Sequence, residues 1–358
     1  MNSTSYHVIG IMSGTSRDGI DFAEITIDIK NRKFTYQFGK TATFPYPDYW
    51  KNTLAVADQF DNSEIKDLDK KYTLYLAEQI KKFIADNHLK NIDAVCSHGH
   101  TIFHQPENFY TLQIGNQPEL AEFLNLKVVC DFRIQDVLKG GQGAPLVPVG
   151  DELFFSEYAA CINLGGFSNI SLKENNRRIA FDICPVNIVL NKYAEKLGFD
   201  FDDKGEMAKS GKVNSSLLKK LNQLEFYQLS APKSLGKEWV RENIFPLLEK
   251  SNLSEKDILA TFTTHIAQQL AVVINNIPEG KILLTGGGVY NDFLMQQLKE
   301  LTSSILVIPE EKLIDYKEAL IFGLLGVLKL RGEINVLKSV TGAKENHCSG
   351  KIYSPKNN

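Results

Sequence analysis

Three short glycine turns, each directly behind an apolar stretch of strand character, are the residues of this chain best suited to chemistry. They are Ser13, Gly14, Thr15, Ser16, Asp18 and Gly19 in MSGTSRDG, Gly165 and Gly166 in NLGGFSN, and Gly286, Gly287 and Gly288 in LLTGGGVYND. A triphosphate is recognised by backbone N–H groups, and these approach it closely only where glycine or small side chains leave room. In the first turn Thr15 and Ser16 add hydroxyl donors, and Asp18 adds a hard oxygen of the kind magnesium accepts beside phosphates. Taken singly, each turn reads first as a plain tight turn, and Asp18 equally well as a turn former; it is the set of three that points to a nucleotide. No G-x-G-x-x-G opens a helix in a βαβ unit and no glycine loop ends in Gly-Lys-Ser/Thr, so the dinucleotide and P-loop solutions drop out. What remains is a pair of β-hairpins, one per lobe, clamping the phosphates, with the third turn leading to the nucleobase.

The elements that must hold these turns are legible from hydropathy. Tyr6 to Met12, the stretch IDFAEITID and Lys33 to Thr43 read as three successive strands, followed by a proline-marked loop at Phe44 to Asp48 and a long helix over Ser63 to Asn87. Ile92 to Ser97, Thr111 to Gly115 and Lys127 to Asp131 read as short buried strands, with a helix at Gln117 to Asn125. The stretch AACINLGGFSNISLKE repeats the strand, glycine turn, strand pattern of the N-terminal part, which predicts two lobes of common plan. Helices follow at Asn187 to Leu197, Ser254 to Asn276, Asp292 to Thr302 and Tyr316 to Arg331, with strands at Lys281 to Thr285 and Ile305 to Ile308. The expected lobes are 1–130, with the first hairpin, and 131–318, with the second hairpin and the third glycine turn; the helical segment 319–358 is expected to return to the first lobe.

Composition sets the class. At 358 residues the chain exceeds the roughly 250 to 300 at which one core stops growing, so two lobes are natural. Forty basic and 43 acidic side chains leave a formal charge of −3, no electrostatic footprint for nucleic acid or an anionic membrane, and a small molecule is the expected partner. Five scattered cysteines without a Cys-x-x-Cys spacing suggest neither a disulfide framework nor a thiolate zinc site. The opening residues lack signal-peptide character, and the late apolar run Ala319 to Leu328 is about half the length of a bilayer span, so a cytoplasmic location is expected.

Longer motifs carry a resemblance. GIMSGTSRDGID at 10–21, SHGHTIFHQP at 97–106, LQIGNQPELAE at 112–122, CDFRIQDVLKGGQGAPLVP at 130–148, INLGGFSNIS at 162–171 and SVTGA at 339–343 together resemble the anhydro-N-acetylmuramic acid kinase family, through nearly the whole chain. The resemblance implies an α/β, two-lobed actin-like ATPase fold of ribonuclease H-like lobes, with the active site in the cleft between them. It implies ATP and magnesium as cofactors, a sugar substrate and a homodimer. It further implies opening of 1,6-anhydro-N-acetylmuramic acid by water and phosphorylation to N-acetylmuramic acid 6-phosphate, a step in recycling cell-wall peptidoglycan. Asp131, matching the aspartate of the DFR motif, is then the general base that draws a proton from the attacking water. A carboxylate at a strand end beside a glycine-rich loop suits that work. Arg133 steadies substrate or phosphate through its planar fork, or makes a structural ion pair. Gly140, Gly141, Gln142 and Gly143 shape the sugar pocket, Asn169 and Glu318 are further substrate contacts, and Asp136 caps a helix or turn.

Departures from the pattern are few. FDICPVN at 181–187 stands where the family shows FDTGPGN, so Ile183, Cys184 and Val186 put bulk in place of open backbone. Read as a turn that touches the sugar, this predicts a shifted substrate; Asp182 stays available for magnesium or as a buried structural carboxylate. Lys204 stands before Gly205 where an acidic residue is more usual, and His100 where the family has glutamine. His98, His100 and His104 lack a cysteine to complete a zinc site and read as pocket lining or packing. The competing readings are a sugar kinase retuned to another anhydro or amino sugar, and a nucleotide-binding regulatory module without catalysis.

Overall fold

A computed structural model of the protein describes residues 4–14 and 18–356. Thr15 and Ser16, expected in the first phosphate turn, lie outside the described residues. The chain divides into two α/β units, one formed by the residues up to Phe154 together with those from Tyr316 onward, the other by Phe155–Asp315.

The first unit opens with an antiparallel meander, β1 (Thr4–Ser13), β2 (Gly19–Lys30) and β3 (Lys33–Pro45). β1 then pairs in parallel with β4 (Ala94–Gln105), which carries β5 (Tyr110–Ile114) antiparallel on its extension and β6 (Val128–Cys130) parallel on its far side. Val8 to Ser13 are all buried, as a strand covered on both faces requires, whereas β3 alternates and carries exposed Lys33 and Lys40 at the sheet edge. The long helix runs Asn62–Asp86 and starts in a capping box, Asp61 accepting from Ser63 N and Glu64 N while Glu64 bonds back to Asp61 N. It lays Leu68, Tyr72, Leu76, Ile80 and Phe83 on the sheet at helical spacing. The expected loop at Phe44 to Asp48 passes straight into a further helix, Asp48–Val56.

The second unit repeats the plan. β7 (Ala160–Leu164), β8 (Phe167–Glu174) and β9 (Arg177–Pro185) form a meander, and β7 pairs in parallel with β10 (Lys281–Thr285), which pairs in parallel with β11 (Ile305–Val307). The order β11-β10-β7-β8-β9 matches β6-β4-β1-β2-β3 strand for strand, so the likeness of the two sequence stretches is a likeness of two sheets. Helix Glu255–Ile274, capped by Ser254, is apolar and long enough to cross a bilayer, but most of that apolar surface is buried in this unit's core.

Helix Glu311–Arg331 bends at Tyr316 (φ −114°, ψ 16°), and its remainder belongs to the first unit. There it crosses β1 at van der Waals range of the backbone: a Cβ on Gly10 would lie 2.0 Å from the Ala319 carbonyl oxygen. The chain continues to β12 (Lys351–Tyr353), antiparallel to β6 at the sheet edge. The division between units falls at Phe154/Phe155 and Asp315/Tyr316, whereas the sequence placed it near 130 and 318. Residues 131–154 stay with the first unit because their partners are there: Asp151 pairs with Lys317 Nζ at 2.9 Å, and Gly150 packs on Ile321.

Candidate active site

Asp131 sits immediately past the end of β6 with a left-handed backbone (φ 59°), so the chain turns out of the sheet at this residue. Its Oδ2 lies 2.7 Å from Lys351 Nζ, and the carboxylate is 18% exposed. Phe132 is buried against Phe322, and its carbonyl accepts from Ser349 Oγ at 2.5 Å, which fixes the turn from below. Arg133 points inward. Its Nε donates to His98 Nε2 at 2.8 Å and its Nη1 to the Gly143 carbonyl at 2.7 Å. Because a guanidinium only donates, His98 carries its proton on Nδ1, which bonds the Gly99 carbonyl at 2.8 Å. Burial, reinforced by the Arg133 charge, holds the His98 pKa well below the usual value, so the ring is neutral. Burial likewise draws the Arg133 pKa down to about 10, with Glu318 acting in the opposite sense.

The short helix Ile134–Leu138 leads into the glycine loop. Asp136, fully buried, organises that loop: its carboxylate accepts from Gly143 N at 2.7 Å and Thr341 Oγ1 at 2.7 Å, and Gly141 passes so close that a Cβ there would meet Asp136 Oδ2 at 2.2 Å. Gln142 N donates to the Thr341 carbonyl at 2.8 Å while its side chain is exposed. Thus Arg133 and Asp136 brace Gly141, Gln142 and Gly143 into one loop that follows Asp131 in the chain, and the SVTGA motif is its buttress. Arg133 braces this loop as a strut, through hydrogen bonds to His98 and the Gly143 carbonyl.

The first hairpin joins β1 to β2 in the same unit. Asp18 Oδ1 accepts from Gly19 N at 2.9 Å, and the Asp18 carbonyl accepts from Tyr46 N at 3.2 Å. The Ser13 hydroxyl turns inward, 3% exposed, and bonds Tyr46 Oη at 2.6 Å and His100 Nδ1 at 2.7 Å, with Tyr72 bonded in turn to Tyr46. Ser13 therefore anchors the hairpin through its side chain and leaves Gly14 as the first small residue beyond the strand. His104 bonds Thr111 Oγ1 at 3.1 Å, so the three clustered histidines face three different partners.

In the second unit the other two glycine turns lie side by side. Gly286 leaves β10 at φ 83°, and a Cβ on it would lie 2.6 Å from Asn163 Oδ1 and 2.9 Å from the Leu164 backbone, one residue before Gly165. Gly288 packs on Leu164 in the same way, and Asn291 then caps helix Asp292–Leu301 by accepting from Leu294 N at 2.9 Å. The carbonyls of Gly165 and Gly166 accept from Val186, Asn187 and Ile188 N–H groups at 2.8 to 3.2 Å. Asn163, Asn169 and Asp182 stand opposite one another across β7, β8 and β9, a polar row beside both turns. Asp182 accepts from Leu235 N at 2.7 Å, and burial raises its pKa.

The chain matches known sequences along its length. A sequence profile described as anhydro-N-acetylmuramic acid kinase covers residues 6–355. Proteins named anhydro-N-acetylmuramic acid kinase from Pseudomonas syringae pv. syringae (34% identical, 97% of this chain, 99% of the relative) and Haemophilus influenzae (32%, 99% of each) are full-length relatives. The chain belongs to this family. It is a kinase, which implies ATP as phosphate donor. Looser likenesses among solved structures include component A of (R)-2-hydroxyglutaryl-CoA dehydratase from Acidaminococcus fermentans (14% identical, 91% of this chain and 99% of that chain, TM-score 0.46).

One expectation about departures from the family changes. FDICPVN is not a turn over the substrate: Phe181–Pro185 is the end of β9, and Ile183, Cys184 and Val186 are 0 to 2% exposed within the second unit's core. Their bulk fills apolar space between sheet and helices, so the segment gives no ground for a shifted sugar. The sequence reading also missed His98 as the partner of Arg133, Thr341 as the partner of Asp136, and Lys351. The SHG motif signalled the first and SVTGA the second; nothing local signals the third.

Proposed function

We propose that the chain uses ATP to convert 1,6-anhydro-N-acetylmuramic acid and water to N-acetylmuramic acid 6-phosphate in peptidoglycan recycling, in the cytoplasm. The observation that carries this is membership of the family over the full chain, with Asp131 kept at the strand end beside the glycine loop. In this reading Asp131 takes a proton from water as its oxygen bonds the anomeric carbon. The bond from that carbon to O6 breaks, and O6 then attacks the γ-phosphorus as ADP leaves. Gly141, Gln142 and Gly143 line the sugar side, held by Arg133 and Asp136, with Glu318 and Asn169 as further sugar contacts. Gly14, Asp18 and Gly19 of the first unit, and Gly165, Gly166 and Gly286 to Gly288 of the second, are assigned to the nucleotide in this reading, Gly19 and Gly165 through the room they leave, since their N–H groups donate to Asp18 Oδ1 and the Phe167 carbonyl, and the others through backbone N–H groups.

Among the described residues no group of three His, Cys, Asp or Glu side chains is arranged to hold a metal. Magnesium does not need one, since it keeps several waters and binds through phosphates and one or two carboxylates. Exposed Asp18 fits that role, as does Asp182 through the carboxylate it keeps beside the turns, and the ion would supply charge neutralisation at the phosphates. We also assign a homodimer, which light scattering on the purified chain would test.

The test of the central reading is a coupled ADP-release assay with and without the anhydro sugar. Asp131→Asn should keep ATP binding, measured by calorimetry, and lose at least about a hundredfold in turnover, the usual share of a general base. Turnover near that of the parent in this variant, or no sugar-dependent ADP release by the parent, would reject it.

A further inference from the structure

Asp131 has two oxygens, and the structure treats them unequally. Oδ2 is held by the Lys351 ammonium at 2.7 Å, while no protein group among the described residues hydrogen-bonds Oδ1. The lysine does not arrive by chance of a mobile tail. β12 pairs with β6 so that Lys351 stands opposite Cys130, the residue before Asp131. The backbone leading into it is anchored twice: Ser349, fully buried, donates through Oγ to the Phe132 carbonyl at 2.5 Å, and its own N–H donates to Asn335 Oδ1 at 2.6 Å. Asn335 Nδ2 closes the bracket on the Ser349 carbonyl at 3.0 Å. The turn bearing Asp131 and the strand bearing Lys351 are thus one rigid piece. The Lys351 side chain is itself half exposed. A pair of that kind adds little to stability, so its contribution must be sought elsewhere.

We propose that Lys351 is a positioning residue for the proposed base. By engaging Oδ2 it fixes the carboxylate plane and leaves Oδ1 to accept the proton of the attacking water. The hydrogen bond with Asp131 in turn raises the pKa of the Lys351 ammonium, so it remains charged throughout the working range. A carboxylate on a left-handed turn has freedom about its side-chain torsions, and a general base loses rate when that freedom is not removed. This inference rests on the reading of Asp131 as the base.

The test compares Lys351→Met, which keeps the aliphatic stem and removes the charge, with Lys351→Arg and Asp131→Asn, in steady-state kinetics with the anhydro sugar. Lys351→Met should lower kcat by at least about fivefold, with KM for the sugar and for ATP within twofold and the melting temperature nearly unchanged. Lys351→Arg should recover most of that loss, because a guanidinium still donates to Oδ2. A kcat reduced by less than fivefold in Lys351→Met, a rise in KM that accounts for the loss, or failure of arginine to rescue would overturn the proposal. If those outcomes occur while Asp131→Asn is inactive, the base assignment stands without its lysine; if Asp131→Asn is active, both fall.

Discussion

Replacing Thr341 with valine keeps the shape of a side chain that is 1% exposed and removes a single hydroxyl. That hydroxyl donates to Asp136 Oδ1 at 2.7 Å, and the carboxylate is fully buried, with Gly143 N on its other oxygen and His347 Nε2 at 3.6 Å. Water cannot substitute readily, since Gly141 already passes against the same carboxylate. A hydrogen bond to a charged acceptor contributes about 1.5 to 3 kcal/mol, and the acceptor would be left short of one donor. For a chain of this size each kcal/mol moves the melting temperature by about 1.3 °C, so Thr341→Val should melt roughly 2 to 4 °C lower. Thr341→Ser keeps the donor and should recover most of the difference. The backbone bond from Gln142 N to the Thr341 carbonyl survives both changes, so the loop loosens without detaching. The kinetic sign is a raised KM for the sugar with a smaller change in kcat. Differential scanning calorimetry and steady-state assays read both. Equal melting of Thr341→Val and the parent, or equal damage from serine and valine, would refute the assignment of Asp136 and Thr341 as the loop's anchor.

Gly10→Ala should destabilise by about 3 kcal/mol or more, since the new methyl would meet a backbone carbonyl of helix Glu311–Arg331 that cannot rotate away; urea denaturation measures it, and a loss under 1 kcal/mol would contradict the close crossing. His265 is fully buried between Asn222 and Tyr227, and burial lowers its pKa to about 3. Below about pH 6.5 the unfolded chain gains a proton there that the folded chain refuses, so stability falls with falling pH by up to ~1.4 kcal/mol per unit. His265→Gln should therefore lose about 2 kcal/mol less than the parent between pH 6.5 and 5, and identical pH slopes in the two proteins would refute the neutral buried ring.

The first meander, the β7–β8 hairpin, the long helices and the glycine turns at 165–166 and 286–288 are legible because each is a local pattern: period two, period three to four, or small residues after a strand. The Asn62–Asp86 helix matches the expected span of Ser63 to Asn87 from its apolar spacing, while its Asp61 and Glu64 capping box emerges from the structure. What escaped was set by distance along the chain. The division between units depends on Lys317 reaching Asp151 and on Ile321 covering Gly150, and no linker composition marks it. The segment 181–187 reads as a turn because it carries the family's glycine positions, while the residues present, Ile183 and Cys184, are core formers that extend β9 through Pro185. At the candidate site the motif gave Asp131 and the glycine loop, yet the partners that immobilise them, His98, Thr341 and Lys351, come from separate segments that only the sheet brings together.

The discontinuity of the first unit has a consequence for biosynthesis. Residues 155–315 form a contiguous unit with a sheet of its own, so everything it needs has been translated before its successor segment emerges. The earlier-made unit must wait: its sheet lacks an edge strand, and its proposed base lacks a neighbour, until residues 316–353 have left the ribosome. Premature termination anywhere before Lys351 would leave β6 as an uncovered sheet edge, without the strand that pairs with it and the lysine beside Asp131.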